Sequence, residues 1–444
     1  MRKRFYLLFV LYWGCFAPLS TFSQPPEVFH LNNGLRVIVM CDERAPVVAM
    51  SLFYHVGSIN DPLHKSGIAH FLEHMMFQGL FQDTREDFKT IVTNLGGTTG
   101  ATTTFDYTNY YTIIPKKNIT KLLALEADRM AQLSIADERF QKERHVVIQE
   151  RLDRIEDAPS ARANEIANAH FYMQNRYGRS VIGWLHEIET ILPHDITSFH
   201  TRWYAPNNAT IVLSGDVSVA EAKTLMAQYF SKIPQRTVPP RPQEQNPLPD
   251  FGRQTLEFVH PEFGFSTSIF YKLPASVAQT WNQYKTRLTL QLLTSMLKQK
   301  LNKVFINHFK SLHEITVQSY TAYKEATEFS VSFSIKNLKD GQAMTSVIEN
   351  TLQQLTLEQN LTEDDLKQAR FTLKNSFYET FSNLLDRAKE YGAFLTTGIS
   401  IEDLNQWESI LESITLADIQ GMLKDITSPG PRLIAYLLSG EASQ

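Results

Sequence analysis

The sequence predicts an α+β fold built from two similar halves, each an antiparallel sheet with helices packed on it. Three observations carry that reading. Strand-like segments come first and long helix-like segments follow, an order that favours helices segregated onto one face of an antiparallel sheet. The same order occurs twice along the chain, which points to a repeat of domain size. Between the two runs, Pro234, Pro239, Pro240, Pro242, Pro247 and Pro249 fall in a stretch without apolar periodicity, as a semi-rigid extended linker requires.

The first half opens with the alternating segments Val28 to Leu31 and Leu35 to Met40, joined by the turn Asn32, Asn33, Gly34, and continues with Val47 to Val56. Gly96 and Gly97 then form a turn into a Thr-rich edge strand, Thr98 to Thr104. Helical periodicity covers Asn118 to Leu133 and Phe140 to Glu156. The second half repeats the scheme, with strands Thr255 to Val259 and Ser266 to Leu273 before helices Trp281 to Phe309 and Glu363 to Phe381. The predicted organisation is a signal peptide over 1–23, a first domain over 24–233, the linker over 234–250 and a second domain over 251–444.

The signal peptide rests on Arg2, Lys3 and Arg4 ahead of the apolar run Phe5 to Trp13, which ends near Ser20, Thr21 and Ser23. That run is shorter than the roughly 20 residues a membrane-spanning helix needs, so the mature chain is expected to be exported and soluble. Cys15 leaves with the peptide. Bulky Tyr12 and Trp13 argue against a lipid anchor on Cys15, because lipoprotein signals carry small residues there. Cys41 is then the single cysteine, which excludes an intramolecular disulfide. With 43% hydrophobic residues and a net charge of -4, the chain has the composition of a globular protein and no basic footprint for nucleic acid.

The chemistry concentrates at His70, Phe71, Leu72, Glu73, His74. On a helix His70 and His74 stand one turn apart on one face, so two imidazole nitrogens can reach one tetrahedral ion, with Glu73 beside them. This order is the inverse of the commoner zinc motif. A third ligand is needed. The helix from Phe140 offers Glu143 and Glu150, two turns apart on one face, with Glu150 the better candidate. Most Glu residues sit on solvated helical faces, and periodicity does not separate the two cases.

With these residues in view, the sequence resembles the pitrilysin and insulinase family of zinc peptidases, in the short-chain branch that includes mitochondrial processing peptidase. The inverted motif lies within Gly67 to Phe77, and the family's second helical segment is matched by Glu143, Arg144, His145, Val146, Val147, Ile148, Gln149, Glu150. Further agreement comes from Gly96 and Gly97 through Asp106, Thr108 and Tyr110, from Tyr177, Gly178 and Val181 to Trp184, and from Trp203, Tyr204, Pro206, Asn207, Asn208 to Gly215, Asp216. The resemblance implies His70, His74 and Glu150 as ligands of one zinc ion per chain, Glu73 as general base and Glu143 as the carboxylate that orients a ligand. It implies that Gly100, Ala101, Thr102 and Thr103 pair with an extended peptide substrate, although the family usually has Asn where Gly100 stands. It also implies a clam-shell chamber of four domains, of which this chain supplies half.

Active relatives hold the substrate carbonyl with an Arg and a Tyr seven residues apart in a second half. Gln291 to Tyr323 contains no Arg, and Tyr320 and Tyr323 are preceded at that distance by His313 and Thr316. Lys300 and Leu301 echo the start of the family segment without completing it. The resemblance therefore implies the zinc subunit of a heterodimer, with a homologous partner supplying the Arg/Tyr pair and a homodimer as the other possibility. The expected protein is a periplasmic zinc endopeptidase acting on unfolded proteins or oligopeptides. A non-catalytic peptide-binding subunit and a maturase dedicated to one precursor remain open.

Overall fold

Alternation of side chains sets the first sheet. In β2 (Arg36–Cys41), Val37 and Val39 face one way and Ile38 and Met40 the other, and all four are buried, as in a central strand covered on both faces. The computed structural model describes residues 25–78, 86–173, 175–242, 252–273, 284–308, 315–320, 328–357 and 360–440. The predicted signal peptide and the end of the linker lie outside these residues, as do His313 and Tyr323.

Around β2 stand β1 (Glu27–His30), β3 (Val47–Tyr54), β4 (Thr98–Thr103), β5 (Thr108–Pro115) and β6 (Ala209–Gly215), in the order β1-β2-β6-β3-β5-β4. The helices of this half are α1 (Ile68–Gln78), α2 (Phe88–Asn94), α3 (Ile119–Ala131), α4 (Asp137–Arg151), α5 (Pro159–Tyr172), α6 (Leu185–Ile188), α7 (Pro193–Trp203) and α8 (Val219–Phe230). The second sheet comprises β7 (Arg253–His260), β8 (Ser266–Lys272), β9 (Ile315–Tyr320), β10 (Glu328–Ser334) and β11 (Arg432–Ser439), ordered β7-β11-β8-β10-β9. With β1 set aside, the two orders match strand for strand, so the predicted repeat is one of topology. The expectation of wholly antiparallel sheets needs one correction in each half. β2 runs parallel to β6, and β7 parallel to β11. The last strand of each half returns only after a long helical excursion, and that length of chain permits a parallel approach.

Each half lends a helix to the other. The helix Leu384–Thr396 lies across β3 and β6, so close that a Cβ on Gly392 would fall 1.9 Å from Phe53 Cε2. In return Ala167, Phe171 and Tyr172 of α5 pack with Leu433 and Ala435 of β11. The first part of the linker is also pinned. Arg236 donates to the carbonyls of Tyr204 at 2.9 Å and Ala131 at 2.8 Å, at the ends of α7 and α3, where a cation complements the helix dipole. Arg241 pairs with Asp106. Among the described residues no helix is long and apolar enough to cross a membrane.

Candidate metal centre

The start of α1 is fixed by backbone chemistry. Gly67 adopts φ +86°, which a side chain would strain, and a Cβ there would meet the Ile182 carbonyl oxygen at 2.4 Å. Asp61 accepts hydrogen bonds from the N–H groups of Gly67 at 2.7 Å and Ala69 at 3.2 Å, satisfying donors that a helix N-terminus leaves unpaired. Burial pushes the Asp61 carboxyl up to about 8, against the pull of those two bonds. The Trp184 N–H donates to Ser66 Oγ at 2.9 Å. The loop Val181 to Trp184 is thus clamped onto the entrance of the helix that carries the two histidines.

On α1 the His70 and His74 rings meet edge to face, with centroids 4.7 Å apart. Glu150, in the last turn of α4, places Oε2 3.2 Å from His74 Nε2 and 3.8 Å from His70 Nε2. Two ligands held tetrahedrally about 2.1 Å from one ion stand about 3.4 Å apart, so one ion can be reached by all three groups. One ligand atom from each lies within 4.8 Å of the others. Glu143 Oε1 is 2.8 Å from His74 Nδ1, the second contact that fixes a ligating imidazole's orientation. Among the described residues His70 Nδ1 has no such partner.

Charge follows the geometry. Burial, with His74 alongside, lowers His70 to about 4. Burial also works against a charged His74, but its hydrogen bonds to Glu143 and Glu150 outweigh that and raise it to about 9. The His74 hydrogen bond holds the Glu150 carboxyl below its ordinary value. Two imidazoles and one carboxylate form a donor set that suits a zinc ion.

Glu73 projects into the adjoining cleft, where Thr103 Oγ1 donates to its Oε2 at 2.5 Å. Burial raises the Glu73 carboxyl above its usual range, and the Thr103 bond opposes the rise. The cleft is about 500 Å³ and is bounded by His70, Glu73, His74 and Glu150 on one side and by Ala101, Thr102 and Thr103 on another. A smaller pocket of about 280 Å³ continues past Ala101 to Gly100, Thr99 and Lys89. The opening therefore follows β4, which is the edge strand of its sheet. The Tyr111 ring fills the space over Gly100, where a Cβ would meet its hydroxyl at 2.6 Å.

Sequence reasoning passed over Arg154 and Ile155, which line the cleft together with Val181 and Ile182 of the stretch already matched to the family. Arg154 Nη1 lies 2.7 Å from Glu150 Oε1. A Glu four residues ahead of an Arg is a readable helical pair, and that signal could have found it. The π-helical turn Leu152–Glu156 that carries Arg154 has no comparable signature. Arg151 anchors this turn, bonded to Glu156 at 2.7 Å and to Glu165 at 2.8 Å with its side chain fully enclosed. In the second half, Leu301 is buried and Lys300 pairs with Asp365 at 2.6 Å, which accounts for both as packing residues of the helix Tyr284–His308.

The chain is similar in sequence and fold to known proteases. Zinc protease PqqE of Helicobacter pylori is 26% identical over 416 residues, covering 91% of each chain. The crystal structure of a protease from Helicobacter pylori shares the fold at a TM-score of 0.83 and 22% identity, covering 93% of this chain and 99% of that one. The periplasmic protease PqqL from Escherichia coli shares it at 0.76 and 19% identity, over 94% of this chain and 48% of the larger protein. The profile for Insulinase (Peptidase family M16) matches residues 36–184, and that for the Peptidase M16 inactive domain matches residues 191–373. His70, Glu73, His74 and Glu150 fall within the first match, the second runs from the end of the first half to residue 373 of the second half, and the chain belongs to the insulinase family, Peptidase family M16.

Proposed function

We propose that this chain is a zinc-dependent endopeptidase that hydrolyses peptide bonds in unfolded proteins or oligopeptides. The observation that carries this reading is the convergence of His70, His74 and Glu150 on one point, beside Glu73 and an open strand edge. One zinc ion held there would act as a Lewis acid and lower the pKa of water towards 7. Glu73 takes the proton from the attacking water and passes it to the leaving amine. Glu143 keeps His74 in the orientation and tautomer that present Nε2. Residues 100–103 of β4 add the substrate as a further strand, which supplies affinity with little demand on sequence.

The same reading makes 24–233 the catalytic domain and 251–444 its repeat, joined by the linker 234–250. The basic start, Arg2, Lys3 and Arg4, and the apolar run direct the chain to export, and the periplasmic relative supports that compartment. A partner of the same family supplies the spaced Arg/Tyr pair that is missing from Gln291 to Tyr323 and completes the chamber, and the PqqL structure, about twice this chain's length, supports such pairing of halves. The test is Glu73→Gln assayed with a quenched peptide alongside the parent. The variant is expected to retain zinc and to lose about 10²- to 10⁴-fold in turnover, because the amide does not accept the proton. Substantial turnover by the zinc-loaded variant would overturn the mechanism.

A further inference from the structure

Arg154 is the single Lys or Arg among the described residues lining the cleft at His70, His74 and Glu150. Its ion pair with Glu150 engages Oε1, the carboxylate oxygen turned away from the histidines. The side chain is still 71% exposed, and no other described residue pairs with it. A guanidinium presents five donors in a planar fork that matches a carboxylate bidentately, and Glu150 occupies part of that fork. Arg154 lines the cleft together with the apolar side chains of Ile155, Val181 and Ile182.

We propose that Arg154 forms a carboxylate-binding subsite, so that the preferred peptides place a carboxylate within about two residues of the cleaved bond, a reach of roughly 7 Å. The inference rests on the peptidase reading above and adds the substrate's charge to it. The carboxylate has two possible sources, an acidic side chain or the peptide's own C-terminus. The competing description is an ordinary helical ion pair whose whole role is to hold Glu150. Its position favours a ligand: Arg154 stands beyond the end of α4 in a π turn, a feature frequent at functional sites, and borders the cleft where the chain would lie. A zinc ion's two positive charges would offset those of Glu73 and Glu150, leaving the charge of Arg154 for the substrate.

Binding is measured by fluorescence anisotropy on the full chain carrying Glu73→Gln, loaded with zinc, with and without Arg154→Gln. Four labelled peptides are compared: one sequence with Glu or Gln near its centre, each as the free acid or the C-terminal amide. The expected result is about tenfold tighter binding of the peptides carrying the recognised carboxylate, lost in Arg154→Gln at unchanged zinc content. The Glu/Gln pair reports a side-chain source and the acid/amide pair a terminal one. Equal affinities across both pairs, a preference that survives Arg154→Gln, or loss of zinc in that variant would overturn the proposal. Absence of peptide hydrolysis by the parent together with an Arg154-dependent preference would sink the peptidase reading and leave the subsite standing.

Discussion

Single side chains decide whether the cluster behaves as a metal site. Glu143 reaches His74 Nδ1 while Glu150 reaches Nε2, so one imidazole is gripped at both nitrogens and its position depends on each carboxylate. Glu143→Gln is expected to weaken zinc affinity by about 10- to 100-fold, read by competition with a chromophoric chelator, with secondary structure unchanged. Unaltered affinity would mean that the Glu143 contact does not tune the ligand. Helical spacing offered Glu143 and Glu150 without telling ligand from solvated carboxylate, a choice that the family resemblance made, whereas the His70, Glu73, His74 motif was legible because a helix converts spacing into a shared face. Arg154 was not, since a charged residue near a helix end reads first as solvated. Asp61 left no pattern either, because its partners are backbone N–H groups and any sequence supplies those.

At the scale of elements, the strands and helices named from the sequence lie within a few residues of the observed ones, β5, β6, β9, β10, β11 and the helix Leu338–Leu355 were not named, and the Thr-rich segment was recognised as an edge. The parallel pairs β2–β6 and β7–β11 were not, because pairing across most of a domain is set by tertiary closure and leaves no local periodicity. Contact between the helix Leu384–Thr396 and the first sheet likewise depends on a residue that looked unremarkable. Gly392→Ala would drive a methyl group into Phe53. Overpacking of this kind costs about 1–3 kcal/mol, and chemical denaturation should show a loss of that size. A variant as stable as the parent would show that the helix can withdraw from Phe53 without penalty.

For the molecule as a whole, the exchange of α5 and the helix Leu384–Thr396 makes the two halves stabilise one another. His200 reports on the interior of the first half, between α7 and α3. Its Nε2 meets the Arg129 carbonyl at 2.9 Å, and burial lowers its pKa to about 4, whereas an unfolded histidine titrates near 6.5. Below 6.5 the unfolded chain takes up a proton that the folded chain refuses. This contribution to stability is therefore full above about pH 6.5 and is lost progressively down to about pH 4, amounting to about 3 kcal/mol. His200→Gln should flatten the fall in stability over that window relative to the parent, as measured by denaturation at a series of pH values. Identical slopes would show that His200 does not hold a depressed pKa in the folded chain. The central claim is that His70, His74 and Glu150 together hold one zinc ion, and metal analysis of the purified chain beside the three single alanine variants tests it most directly. The account predicts about one zinc per parent chain and near-complete loss in each variant, because a site reduced from three protein ligands to two no longer holds the ion. Undiminished zinc in His70→Ala would contradict it.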